Sequence, residues 1–262
     1  MLQRTFLLSL STLIACSGDD KTEDTSDTQE GVAPIEFSMS FTDGFDDTPL
    51  LGAEICVLEP DLGDEADCIT TDAMGLAEWT WMEPVETNFL NRLTLPDYMT
   101  TLYLGRYDDQ VREMWTAAYG EGGVVELANI AFSEAIVDLM LQMGGTSHQD
   151  GSGHAFFGLL SQDEGSLAGA TFELTNDSGE SVGEVLYVNA GGTGFDASLE
   201  STSEAGFATI ANVPPGTYTF TVDSSSFSCT PGFAWRSDVA NTTTVVVEAD
   251  TMTMGSMMCA GL

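Results

Sequence analysis

From residue 35 onward the apolar positions recur mainly at every second residue, in short runs closed by Gly, Pro, Asn or Asp. That is the period of strands with one buried face. Residues 170–174 alternate around Phe172, and Glu204-Ala205-Gly206 then supplies a turn. Beyond it, Phe207, Thr209 and Ala211 oppose Ala208 and Ile210. Val213-Pro214-Pro215-Gly216 interrupts the pattern, because neither proline can donate to a strand ladder. Residues 217–222 place Tyr218, Phe220 and Val222 on one face, and residues 242–248 read as a last strand. Short strands with tight turns predict antiparallel β-sandwich architecture.

A different period appears in the middle of the chain. Ile136, Leu139, Met140 and Met143 fall at helical spacing within residues 132–144. Ser133 is predicted to cap that helix, Glu134 to sit at its positive end and Gly144 to finish it. A shorter helix is predicted over 109–118, with Val111, Met114 and Trp115 on one face. Residues 108–150 are thus expected as a helical linker packed against the first sandwich, or as a partner-binding helix. Glu126, Glu134 and Asp138 exclude a membrane span there.

The two flanks echo each other. Leu50-Leu51-Gly52-Ala53 is answered by Leu167-Ala168-Gly169-Ala170, and Thr71-Asp72-Ala73-Met74-Gly75 by Thr202-Ser203-Glu204-Ala205-Gly206. The second copy holds about 14 more residues between these landmarks, around Asn189-Ala190-Gly191-Gly192-Thr193-Gly194, as an inserted hairpin or long loop would. The predicted organisation is a first sandwich over 35–107, the helical linker over 108–150 and a second sandwich over 151–262.

Charge narrows the possible partners. There are 42 acidic and 6 basic residues in 262, a formal charge of −36. This excludes nucleic-acid binding, which needs clustered Lys and Arg, and plain electrostatic attachment to anionic lipid. With 43% hydrophobic residues the chain still has enough apolar surface for a folded core.

The first 31 residues differ from the rest. Arg4 precedes an apolar run from Phe6 to Ile14 that is far short of the about 20 residues a spanning helix needs. It has the build of a secretory signal. Leu13-Ile14-Ala15-Cys16 resembles the lipobox of bacterial lipoproteins. The resemblance implies cleavage after residue 15 and acylation of Cys16, an anchor that holds when more than one acyl chain enters the bilayer. Residues 17–31 carry no aliphatic or aromatic side chain, so 16–34 is expected as a disordered acidic tether. Ser17 after the lipidated cysteine implies export to the outer membrane or cell surface.

Cys56, Cys68, Cys229 and Cys259 make an even set in an exported chain, which reads as two disulfides with three possible connectivities. Their grouping favours Cys56–Cys68 and Cys229–Cys259. A four-thiolate metal site is disfavoured, since no two cysteines are separated by only two residues.

The order of L-x-G-A, strand, T-x-x-x-G, strand and P-P-G-x-Y-x-F-x-V resembles the carboxypeptidase regulatory-like, transthyretin-like β-sandwich superfamily. The resemblance runs over 153–247 and, less completely, over 35–107, where Met82-Glu83-Pro84-Val85-Glu86-Thr87 replaces the P-P-G-x-Y turn. It implies two transthyretin-like or Ig-like sandwiches. It also implies accessory or adhesive modules without catalytic residues.

Candidate chemistry is sparse. His148 and His154 bracket Asp150 in a glycine-rich stretch, which reads as a solvated linker rather than a metal site. Asp43-Gly44-Phe45-Asp46-Asp47 and the acidic run over 61–67 offer oxygens for Ca²⁺ but lack the EF-hand spacing. Trp79 and Trp81 share one strand face, which favours core packing over sugar stacking. The methionines and Cys259 of the tail read as a pinned strand rather than a Cu(I) site. The sequence therefore predicts a non-catalytic envelope lipoprotein that binds or spaces an envelope or extracellular protein or glycan, without catalytic residues, metal or cofactor. A secreted hydrolase or its recognition subunit, and a calcium-dependent adhesive module, are the alternatives.

Overall fold

The computed structural model describes residues 33–58, 65–82, 86–162 and 165–262. The signal, Cys16, the acidic tether and Asp61 to Asp64 lie outside the described residues. Within the first flank run β1 (Ile35–Asp43), β2 (Glu54–Leu58), β3 (Glu65–Thr70), β4 (Leu76–Trp81), β5 (Thr87–Thr94) and β6 (Thr100–Tyr107). Then come α1 (Asp109–Tyr119), β7 (Val125–Ala131) and α2 (Glu134–Met143). The second flank has β8 (Gly153–Ser161), β9 (Thr171–Thr175), β10 (Glu184–Tyr187), β11 (Phe207–Val213) and β12 (Gly216–Asp223). It ends with β13 (Phe227–Pro231), β14 (Thr242–Val247) and β15 (Thr251–Gly261).

The fold is mainly β, and the sequence repeat is a repeat of topology. In the first copy β1 lies between β4, antiparallel, and β7, parallel. In the second, β8 lies between β11, antiparallel, and β15, parallel. The facing sheets match as well: β2 pairs β5 and β5 pairs β6, as β9 pairs β12 and β12 pairs β14. The segment expected as a helical linker therefore also supplies β7, a strand of the first copy. The parallel pairs β1–β7 and β8–β15 depart from the all-antiparallel expectation. Parallel neighbours cannot be joined by a hairpin, and in both copies the chain passes through the facing sheet before it returns.

Landmark residues hold both copies in the same way. Gly52 and Gly169 have φ of 74° and 86°, and Gly75 and Gly206 have 71° and 73°, left-handed values that favour glycine. Between them stand Thr71 and Thr202, both buried. The Thr71 hydroxyl accepts from Ala53 N–H at 2.9 Å and donates to Leu50 O. The Thr202 hydroxyl accepts from Ala170 N–H at 3.0 Å and donates to Leu167 O at 2.6 Å.

The two copies are joined through a sheet, not merely by a linker. β15 of the second copy pairs in parallel with β6 of the first, from Thr251 against Thr100 to Met254 against Tyr103. One sheet thus runs β10-β11-β8-β15-β6-β5-β2-β3, with β13 beside the far end of β15. The sheet β14-β12-β9 covers one face of it around Phe157, Phe172, Phe220 and Met257. On the opposite face β4-β1-β7 and α1 close a second core around Phe37, Phe41, Ile55, Leu93 and Trp115. Strand β6 serves both, sending Leu102 and Leu104 to one core and Tyr107 to the other. Residues 32–262 accordingly form one compact unit.

Helix α2 packs against both copies, not the first alone. Val137 and Leu141 share a core with Met99 and Phe132 of the first flank and with Leu186, Val188, Phe195, Ala211, Met252 and Met254 of the second. Leu139 and Met143 are about half exposed, so the seated face is centred four residues apart on Val137 and Leu141. Ser133 precedes the helix without a side-chain capping bond, and Gly144 stays in the right-handed region. The left-handed turn falls one residue later, at Gly145. Helix α1 sits on the first core through Val111 and Trp115, capped by Asp108, whose carboxylate accepts from Val111 N–H at 2.8 Å.

Candidate functional site

The four downstream cysteines form two disulfides. Cys56–Cys68 ties β2 to the edge strand β3, and Cys229–Cys259 ties β13 to β15. Cys16 lies outside the described residues. The tail methionines belong to β15: Met252 and Met257 are buried in two different cores, which spends them on packing.

His148 and His154 are brought together, and the sequence did not show their third partner. Their facing nitrogens, His148 Nδ1 and His154 Nε2, are 2.9 Å apart. His148 Nε2 lies 3.2 Å from the carboxylate of Asp250, in the turn before β15. His154, on β8, is fully buried, and Asn212 N–H donates to its Nδ1 at 3.2 Å. That fixed backbone donor settles the tautomers. Nδ1 of His154 accepts, so the neutral ring carries its proton on Nε2 and donates to His148 Nδ1. His148 in turn carries its proton on Nε2 and donates to Asp250. Neither facing nitrogen has a free lone pair in this arrangement, so the pair is not poised as a metal chelate. Among the described residues no cluster of three or more His, Cys, Asp or Glu suits a metal ion.

Burial pushes His154 down to about 4 from its ordinary 6.5, helped by His148 and opposed by Asp250. Between those values the unfolded ring holds a proton that the folded ring does not. The contribution of His154 to stability is therefore full above pH 6.5 and is lost as pH falls toward 4. Hydrogen bonds from Gly151 N–H and from His148 hold Asp250 below its usual value.

The acidic loop after β1 is satisfied by its own chain. One oxygen of Asp43 accepts from Phe45 N–H at 2.7 Å and Asp46 N–H at 3.3 Å; the other accepts from the Tyr98 hydroxyl at 2.8 Å. Burial and that carboxylate push Tyr98 up to about 12. A cation there would have to displace these donors. The loop leaves Phe45 68% exposed. At the same end Leu51 and Met74 stand 64% and 65% exposed, on turns joined by Leu50 N–H to Phe41 O and Phe41 N–H to Gly75 O. Asp46, Asp47 and Asp72 flank them.

The tryptophans serve packing. Trp81, Trp115 and Trp235 are buried, and Trp79 stacks between Phe37 and Trp81 at 5.2 and 5.7 Å. Trp235 also binds the copies together, its Nε1–H donating to Phe89 O at 2.9 Å. Arg92 on β5 and Glu248 after β14 add an ion pair at 2.7 Å.

Residues 160–221 match the family described as SpaA: Prealbumin-like fold domain. The match lies within the second copy, from the end of β8 into β12, where the transthyretin-like resemblance is most complete. No curated protein sequence matches the chain. Among solved structures, the Bacillus anthracis TIE protein is 13% identical over 88% of this chain and 34% of its own, with a TM-score of 0.28. The chain thus spans about a third of that protein's length. The shaft pilin spaA of Lactobacillus rhamnosus GG is 12% identical, over 88% of this chain and 98% of its own, at a TM-score of 0.28. The minor pilin GBS52 of Streptococcus agalactiae is 11% identical, over 87% and 96%, also at 0.28.

Proposed function

We propose that this protein is a non-catalytic lipoprotein, held to the outer membrane or cell surface by Cys16, that presents the apolar tip of its first sandwich to an envelope or extracellular protein. The observation that carries this reading is the polarity of β1. The lipobox and tether precede its first residue, Ile35, while Phe45 follows its last, Asp43. Nine strand residues separate those ends by roughly 30 Å. The anchor and the exposed Phe45, Leu51 and Met74 thus attach at opposite ends of one strand. Apolar side chains flanked by Asp46, Asp47 and Asp72 suit a partner surface with an apolar recess and a basic rim.

The build supports a spacer. The anchor's attachment and the tip are the two ends of one nine-residue strand in a disulfide-tied sandwich, which resists bending between them. The site geometry lends nothing to hydrolysis, since the two histidines and Asp250 satisfy one another.

Fatty-acid labelling of the full chain in its host tests the anchor. Label and membrane retention are expected in the wild type, with both lost in Cys16→Ser; an unlabelled wild-type protein would overturn it. A photo-crosslinking residue at position 45 tests the tip on intact cells. A discrete adduct is expected there and not at Val239, and no adduct at position 45 would refute the tip assignment.

A further inference from the structure

Residues 144–152, which join α2 to β8, are fastened largely by side chains. Asn212 sits at the bulge of β11 with φ of 57°. Its amide oxygen accepts from Gln149 N–H and its nitrogen donates to Ser147 O, both at 3.0 Å. Asp250 accepts from Gly151 N–H at 3.0 Å as well as from His148. His148 is the one link that joins this segment to the buried ring of His154. The backbone adds Asp250 N–H to Ser152 O at the segment's end.

We propose that the His154–His148–Asp250 relay is an acid-labile clasp: a proton taken up by His148 releases residues 144–152 and the last turn of α2 from the sheet. The lone pair of His148 Nδ1 is filled by the His154 Nε2–H, and a proton placed there sets two N–H groups head-on across 2.9 Å. His154 cannot yield by changing tautomer, because the Asn212 N–H occupies its other nitrogen. The contact must therefore open. Proton entry is available, since the His148 side chain is 20% exposed.

The charged groups around His148 are carboxylates. Asp150 lies in the same segment, Asp250 touches His148, and Glu184 of β10 stands opposite Ala211, next to Asn212. Glu248, in the turn before β15, is occupied by Arg92. The last turn of α2 carries no basic residue, and β6 offers Thr101 opposite Met252. The hydrogen-bond pattern has no room for the extra proton of an imidazolium at His148. Opening resolves the conflict and uncovers part of the apolar face formed by Leu186, Val188, Met252 and Met254.

Hydrogen exchange of the full chain at pH 7.5 and 5.0, corrected for intrinsic rates, tests the clasp. At pH 5.0 residues 134–152 are expected to lose at least about tenfold more protection than β1 and β12. His148→Gln should lose no more protection there than β1 and β12 do, because its oxygen can accept from His154 and its nitrogen can donate to Asp250. Unchanged protection in the wild type, or an equal loss in His148→Gln, would overturn the proposal. Should that variant fail to fold, nitrogen-detected NMR of the wild type decides: both rings must carry Nε2–H at pH 7.5, and an Nδ1–H form of His154 would refute the relay.

Discussion

At the scale of single residues, the most economical device in this protein is a threonine used twice. Thr71 and Thr202 each bridge an alanine N–H and a leucine carbonyl inside a buried turn. Thr202→Val keeps the shape and removes the hydroxyl that serves both partners. It is expected to cost about 1–3 kcal/mol in urea unfolding, because the buried Ala170 N–H is left unpaired. Thr71→Val should cost a similar amount, and a loss below about 0.5 kcal/mol would show that water replaces the hydroxyl. The spacing T-x-x-x-G was visible in the sequence, and so were the glycines, because left-handed turns restrict which residue can stand there. The hydroxyl's double role was not, since threonine is equally at home on any strand. The histidines show the same limit. Their neighbourhood in the chain was plain, but Asp250 and the Asn212 amide arrive from distant parts of the sequence.

At the scale of elements, periodicity predicted β9, β11, β12 and β14 to within a residue or two. It was weaker for α2. An apolar stripe broad enough to include Ile136, Val137, Met140 and Leu141 does not say which edge will be seated, and packing against β10 and β15 chose Val137 and Leu141. The disulfides join neighbouring strands but should differ in effect. The Cys229–Cys259 bridge closes a span of 30 residues and holds β13 on β15. Cys56–Cys68 closes 12 at the edge of the sheet. In the chain-entropy view the longer loop contributes about 4 kcal/mol and the shorter about 3. Paired serine variants of Cys229 and Cys259 should therefore unfold at lower urea than those of Cys56 and Cys68. The reverse order would mean that the edge hairpin stabilises more than its own loop.

For the molecule as a whole, the formal charge of −36 opposes compaction. Carboxylates this numerous repel one another in the folded state more than in an expanded chain, and salt screens that repulsion. Raising NaCl from about 0.05 to 1 M should raise the melting temperature by several degrees, consistent with about 1–2 kcal/mol for a domain of this size. A flat or falling curve would mean that ion pairs such as Arg92–Glu248 outweigh the repulsion. The charge and the two halves could be read directly from the sequence. Their joint could not, because strands β6 and β15 are separated by more than a hundred residues and neither carries a mark of its partner.

That joint is directional: the first unit offers β6, and the second answers with β15, so the contact does not use the same strand on both sides. By the internal correspondence, β14 of the second unit is the counterpart of β6, and β7 of the first is the counterpart of β15. Both lie at the ends of their own sheets. Each terminus of the pair still carries the complementary half of a dovetail, so gene duplication could lengthen such an array, unit by unit, without inventing a new kind of contact.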